Sequence, residues 1–161
     1  MLQIKSFVFS PIQENTYILY NEFNECIIID PGCYFDNEKR ELSDYISEYK
    51  LSPKYLLNTH CHLDHVFGNR FIAETFGLTP HIHPLEEQLL KLAPMSGIRW
   101  GLPFENYEGP LVFIDKSMTI KLDTDVFEIL ETPGHSPGSI SFYQKQDKLI
   151  ISGDVLFYGS I

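Results

Sequence analysis

The sequence has no apolar run approaching the roughly 20 residues that a membrane-crossing helix requires. Its first residues, MLQIKSFVFSPIQEN, carry one lysine and no continuous hydrophobic stretch, so they do not read as a secretion signal. Cysteine is scarce as well. Cys26, Cys33 and Cys61 are three in number with no repeated spacing, whereas a disulfide-stapled secreted domain shows an even, patterned set. Positive charge is also short, with 12 Lys and Arg against 22 Asp and Glu and a formal net charge of −10. Binding to nucleic acid or to an anionic membrane needs the opposite balance, so both are excluded as general functions. A reduced, cytoplasmic setting is the resulting expectation.

What is present is an ordinary globular composition, with 43% hydrophobic and 21% charged residues over 161 positions. That length forms one domain, 1–161, able to bury a real core. No repeat, linker or low-complexity segment divides it. Leu2 to Phe9, Thr16 to Tyr20 and Cys26 to Asp30 read as strands, stopped by Pro31-Gly32. Leu42, Tyr45, Ile46 and Tyr49 form a helical stripe. Tyr55 to Leu57 is a short apolar strand that runs into Thr59. After a loop from His60 to His65, the pattern predicts a helix over Gly68 to Phe76 closed by Gly77. A strand at His81 to His83 precedes a helix from Leu85 to Lys91, with Pro84 well placed at its start. Ala93 to Pro110 lacks a period and reads as a long loop. Five short strands follow, ending at Leu149 to Ile151, and the alternation predicts an α/β protein with more than one sheet.

The chemistry is concentrated in Thr59-His60-Cys61-His62-Leu63-Asp64-His65. Three imidazoles and a carboxylate fall within six residues at the end of an apolar strand, and these are the usual ligands of zinc and related ions. At a strand's end, alternate side chains converge on one point, so His60 and His62 suit one ion while Asp64 and His65 suit a second. A lone histidine is more often structural; four ligand-type residues at this spacing rarely arise without a metal. His135, in the Pro/Gly-braced loop Thr132 to Gly138, supplies a further ligand for the first ion. Asp154, after the strand Ile150-Ile151, is placed to bridge both. His81 and His83 read as neighbours of the core. Cys61 points away from the ligands, and Trp100, Phe104 and Tyr107 are either a groove wall or a small separate cluster.

This His-x-His-x-Asp-His word, with Gly134-His135 and Gly153-Asp154, resembles the metallo-β-lactamase superfamily. Asn15-Thr16-Tyr17, Ile29-Asp30-Pro31-Gly32, Gly134-His135-Ser136-Pro137-Gly138 and Gly153-Asp154-Val155-Leu156-Phe157 look like its glyoxalase II-like, hydroxyacylglutathione hydrolase-like branch. The resemblance implies an αβ/βα four-layer sandwich with metals at one edge. It implies zinc at two sites, with iron or manganese as alternatives, and a metal-activated hydroxide that attacks a small-molecule thioester, hydroxyacylglutathione being one candidate. Asp64 then orients the hydroxide or takes its proton, and Asp30 is either a carboxylate that holds the histidine loop or a simple strand end. The family pattern has one more histidine after the bridging Asp, whereas His135 is the last one here. The expectation is therefore a form lacking its C-terminal elements, with a weaker second site and an exposed sheet edge that promotes self-association. A mononuclear iron persulfide dioxygenase and a non-catalytic metal-binding domain are the competing readings.

Overall fold

In the computed structural model, which describes residues 1–160, two sheets stack face to face. The first comprises β1 (Gln3–Phe9), β2 (Glu14–Tyr20), β3 (Glu25–Ile29), β4 (Ser52–Leu57), β5 (Pro80–Ile82) and β6 (Val112–Phe113), in that order. β1, β2 and β3 pair antiparallel, and β3 to β6 pair parallel. The second sheet comprises β7 (Thr119–Leu122), β8 (Asp125–Glu131), β9 (Ile140–Gln144) and β10 (Leu149–Ile151), all antiparallel.

The residue pattern explains the layering. β3 is Glu-Cys-Ile-Ile-Ile with its last four residues buried, as a strand covered on both faces must be. Its alternate side chains divide between two cores. Ile27 and Ile29, with Leu19 and Leu57, meet Phe127, Ile129, Ile140 and Phe142 of the second sheet. Ile28, with Ile18 and Leu56, packs against Leu42 and Ile46 of helix α1 (Asp36–Glu48) and Ile72 of helix α3 (Asn69–Phe76). On the second sheet, β8 alternates buried Phe127 and Ile129 with exposed Val126 and Leu130. Ile150 of β10 is exposed as well. The α/β sandwich, one sheet mixed and the other antiparallel, agrees with the expected fold class. Among the described residues no helix is long and apolar enough to cross a membrane.

Two elements differ from the sequence reading. Asp64 and His65 lie on a one-turn helix, α2 (Leu63–Val66), rather than on a continuous loop. Helix α4 runs over Glu87–Arg99, so the segment from Ala93 to Arg99 is helical despite Pro94. A proline inside a helix frees the carbonyl four residues earlier. Here that carbonyl, of Leu90, accepts the Asn106 side-chain amide at 2.6 Å, and the helix continues.

Candidate metal centre

The parallel strands β3 and β4 both end at the same edge of the first sheet, where α/β proteins place their ligand sites. Ile29 leads directly to Asp30, and Leu57 leads through Asn58 and Thr59 to His60. From the second sheet, the β8–β9 turn brings His135 and the segment after β10 brings Asp154. Gly153 makes the last approach possible. It takes φ 54°, and a side chain there would meet Thr59, whose Cβ lies 2.9 Å from where a Cβ would sit.

All six predicted ligand residues converge. Ligand atoms of His60, His62 and His135 lie within 4.8 Å of one another, and so do those of Asp64, His65 and Asp154. Asp154 faces both groups. Its Oδ2 is 3.3 Å from His135 Nε2 and 4.0 Å from His60 Nε2, while Oδ1 is 3.2 Å from His65 Nε2. His65 Nε2 is also 3.5 Å from Asp64 Oδ2. His62 Nδ1 and His135 Nε2 are 2.9 Å apart. The donor set fits a divalent ion: His60 Nε2 is buried without any hydrogen-bond partner, aimed into the first group.

The metal-free centre divides electrostatically between neutral and charged imidazoles. Burial, followed by the neighbouring His65 and His62 charges, lowers the His60 imidazole to about 2, so the ring stays neutral with one nitrogen free to act as a ligand. Burial and His135 lower His62 too. For His65, burial pulls downward, but Asp30, Asp154 and Glu14 outweigh it and hold the imidazole well above its ordinary value. Asp154 is buried enough to be raised, yet its bond to His65 and the surrounding histidines bring it below the ordinary range. Burial raises Asp64, against the pull of His65.

Buried carboxylates brace the centre from behind, Asp30 and Glu86 through hydrogen bonds to its segments. Asp30 accepts Thr59 N–H at 2.7 Å and Thr59 Oγ1 at 2.6 Å, and its Oδ2 lies 3.0 Å from His65 Nδ1. It therefore holds the histidine segment rather than merely ending a strand. Glu86 is one residue that sequence reading missed. It lies in the 3-10 turn Pro84–Glu86, is wholly buried, and accepts hydrogen bonds from Cys61, Ser136 and Gly138. A Pro-Leu-Glu-Glu start to a polar helix carries no local signal of that burial.

Other candidates separate from the centre. His81 Nδ1 bonds Thr79 O, and His83 faces Glu131 at 3.7 Å. Cys61 packs with Leu63, Val66 and Leu90. Trp100 lines the groove beside the histidines, whereas Phe104 packs on Phe67 and Tyr107 joins the core beneath α1 and α3. That groove holds about 370 Å³ and is walled by Ile12, Leu63, Leu89, Ala93 and Trp100.

The two sheets and the grouped histidines and aspartates form a site able to hold a divalent metal at the edge of an α/β sandwich. Residues 10–161 match the model of the metallo-beta-lactamase superfamily, and the chain belongs to that superfamily. Among its relatives are the probable metallo-hydrolase YqgX of Bacillus subtilis (strain 168), 36% identical over 94% of this chain and 70% of its own length, and hydroxyacylglutathione hydrolase GloC of Haemophilus influenzae, 35% identical over 92% and 69%. Similar solved structures include BLEG-1 B3 metallo-beta-lactamase (TM-score 0.85, 32% identity, covering 96% of this chain and 73% of that one). TTHA1623 in a di-iron-bound form superposes equally well (TM-score 0.85, 31% identity, 98% and 75%).

Proposed function

We propose that this protein is a metal-dependent hydrolase of small-molecule thioesters, with His60, His62 and His135 holding one ion, Asp64 and His65 a second, and Asp154 shared. The observation that carries the reading is the Asp154 carboxylate, which turns one oxygen to each ligand group. Zinc is the ion we expect, with iron or manganese able to use the same imidazole and carboxylate set. When bound, the ions supply an acidified water and positive charge for a developing oxyanion.

The chain's own groups do the rest. Asp64 reaches the groove, where its carboxylate can orient a water or accept its proton. Thr59 and Asp30 fix the orientation of the histidine segment. The walls Ile12, Leu63, Leu89, Ala93 and Trp100 exclude water and suit an aliphatic part of the substrate. No lysine or arginine lines the groove, which favours an uncharged acyl group there. A relative named as a hydroxyacylglutathione hydrolase makes hydroxyacyl thioesters the first substrates to try.

The test is hydrolysis of S-lactoylglutathione and a panel of aliphatic thioesters by protein stripped with chelator and reloaded with zinc, manganese or iron. Turnover only in reloaded protein, and its loss in His60→Ala, supports the proposal. Protein that binds its ions yet hydrolyses no thioester overturns it.

A further inference from the structure

Glu86 joins two segments that share no strand. Its Oε2 accepts the backbone N–H of Cys61 at 2.7 Å, the residue between His60 and His62. Its Oε1 accepts Ser136 Oγ at 2.6 Å and the backbone N–H of Gly138 at 2.7 Å, in the turn that carries His135. One oxygen thus serves each histidine-bearing segment. Gly138 shows how close the approach is. A Cβ there would lie 2.9 Å from Glu86 Cγ, from Glu86 Oε1 and from His83 Nδ1, so only glycine lets its N–H reach the carboxylate. Asp30 touches Thr59 and His65 but no part of the His135 turn, so it does not perform this link.

We propose that Glu86 is a positioning residue that sets the spacing of His60, His62 and His135, and so the metal affinity of that group in preference to the Asp64–His65 group. The inference rests on the metal-centre reading above. Three short hydrogen bonds to one buried carboxylate fix both backbones at once, and three donors cannot all be met by a group with a single acceptor oxygen. Glu86→Gln therefore leaves at least one N–H facing an amide N–H and lets the two segments drift apart.

The experiment is titration of metal-free protein with cobalt(II), followed by visible absorption and calorimetry, in the wild type and in an Asp64→Ala background that isolates the first group. Glu86→Gln is expected to weaken the first group by about 10–100-fold, as loss of a ligand-orienting partner does, and the second by much less. Ser136→Ala removes one of the three bonds, keeps the carboxylate, and is expected to weaken the first group by about 3–10-fold. That variant carries the test if Glu86→Gln does not fold. Equal weakening of both groups, or a lower melting temperature with unchanged cobalt affinity, overturns the proposal because either marks a merely structural role. Wild-type protein that binds no cobalt overturns the metal-centre reading itself.

Discussion

Replacing Asp30 by asparagine isolates what its second oxygen does. Asp30 sits at φ 51°, a left-handed conformation that asparagine tolerates, so the backbone has no reason to move. The amide oxygen can keep the Thr59 N–H bond made by Oδ1. The NH2 group then replaces Oδ2, facing Thr59 Oγ1 and His65 Nδ1. The threonine hydroxyl can turn and accept, but His65 must then accept at Nδ1, which shifts the imidazole proton to Nε2. That is the nitrogen facing Asp64 and Asp154, and a protonated nitrogen cannot bind a metal. Loss of one charged hydrogen bond costs about 1.5–3 kcal/mol. At about 2–4 °C per kcal/mol for a domain of this size, the metal-free protein should melt about 3–12 °C lower. Affinity of the Asp64–His65–Asp154 group should fall by about 10–100-fold. The pH profile gives an independent sign. The folded metal-free protein holds the His65 proton more tightly than the unfolded chain, so this contribution is full below the ordinary value of 6.5 and is lost as pH rises through the raised folded value. Asp30→Asn should flatten that decline. Calorimetric melts at several pH values and zinc titrations check both effects. An Asn variant with wild-type affinity at both groups, whatever its stability, refutes the reasoning about the tautomer.

Three further outcomes follow from packing and burial. Phe142 is fully buried between the sheets, so Phe142→Ala should cost about 3–5 kcal/mol in urea unfolding, and a loss below about 1 kcal/mol would contradict the two-sheet core. Gly153→Ala forces a side chain into the left-handed region and against Thr59; it should cost at least about 1–2 kcal/mol and weaken metal binding through Asp154, both read by melting with and without zinc. Burial pushes the Cys26 and Cys33 thiols up to about 12 and Cys61 well above its ordinary value, so none of the three should react with a thiol reagent at pH 8 until denaturant is added. A thiol that reacts at once in the native protein would contradict that placement.

The candidate ligands are legible because the residue types that bind a metal crowd together locally. His60, His62, Asp64 and His65 crowd one strand end, and no packing argument accounts for that many ligand types together. His135 and Asp154 were legible as glycine-flanked residues after or between strands, and their convergence with the first cluster follows from where β8, β9 and β10 place them. The strands of both sheets were visible from β-branched runs and alternation. Their order was not, because pairing depends on contacts between residues far apart in sequence. Helix α4 extends past Lys91 into a segment that reads as a loop because it lacks a period; Asn106, sixteen residues after Leu90, supplies a donor to the carbonyl that Pro94 frees. Glu86 was invisible too. Beside Glu87 it reads as one of two solvent-facing charges, and its burial is created by Ser136, fifty positions on.

The central claim is that Asp154 joins two ligand groups into one metal centre, and the most direct test is metal content per chain, by elemental analysis after zinc loading and desalting, for the wild type and Asp154→Ala. The account predicts two ions in the wild type and one or fewer in the variant, because both groups lose the same carboxylate. Equal metal content in the two proteins would contradict it.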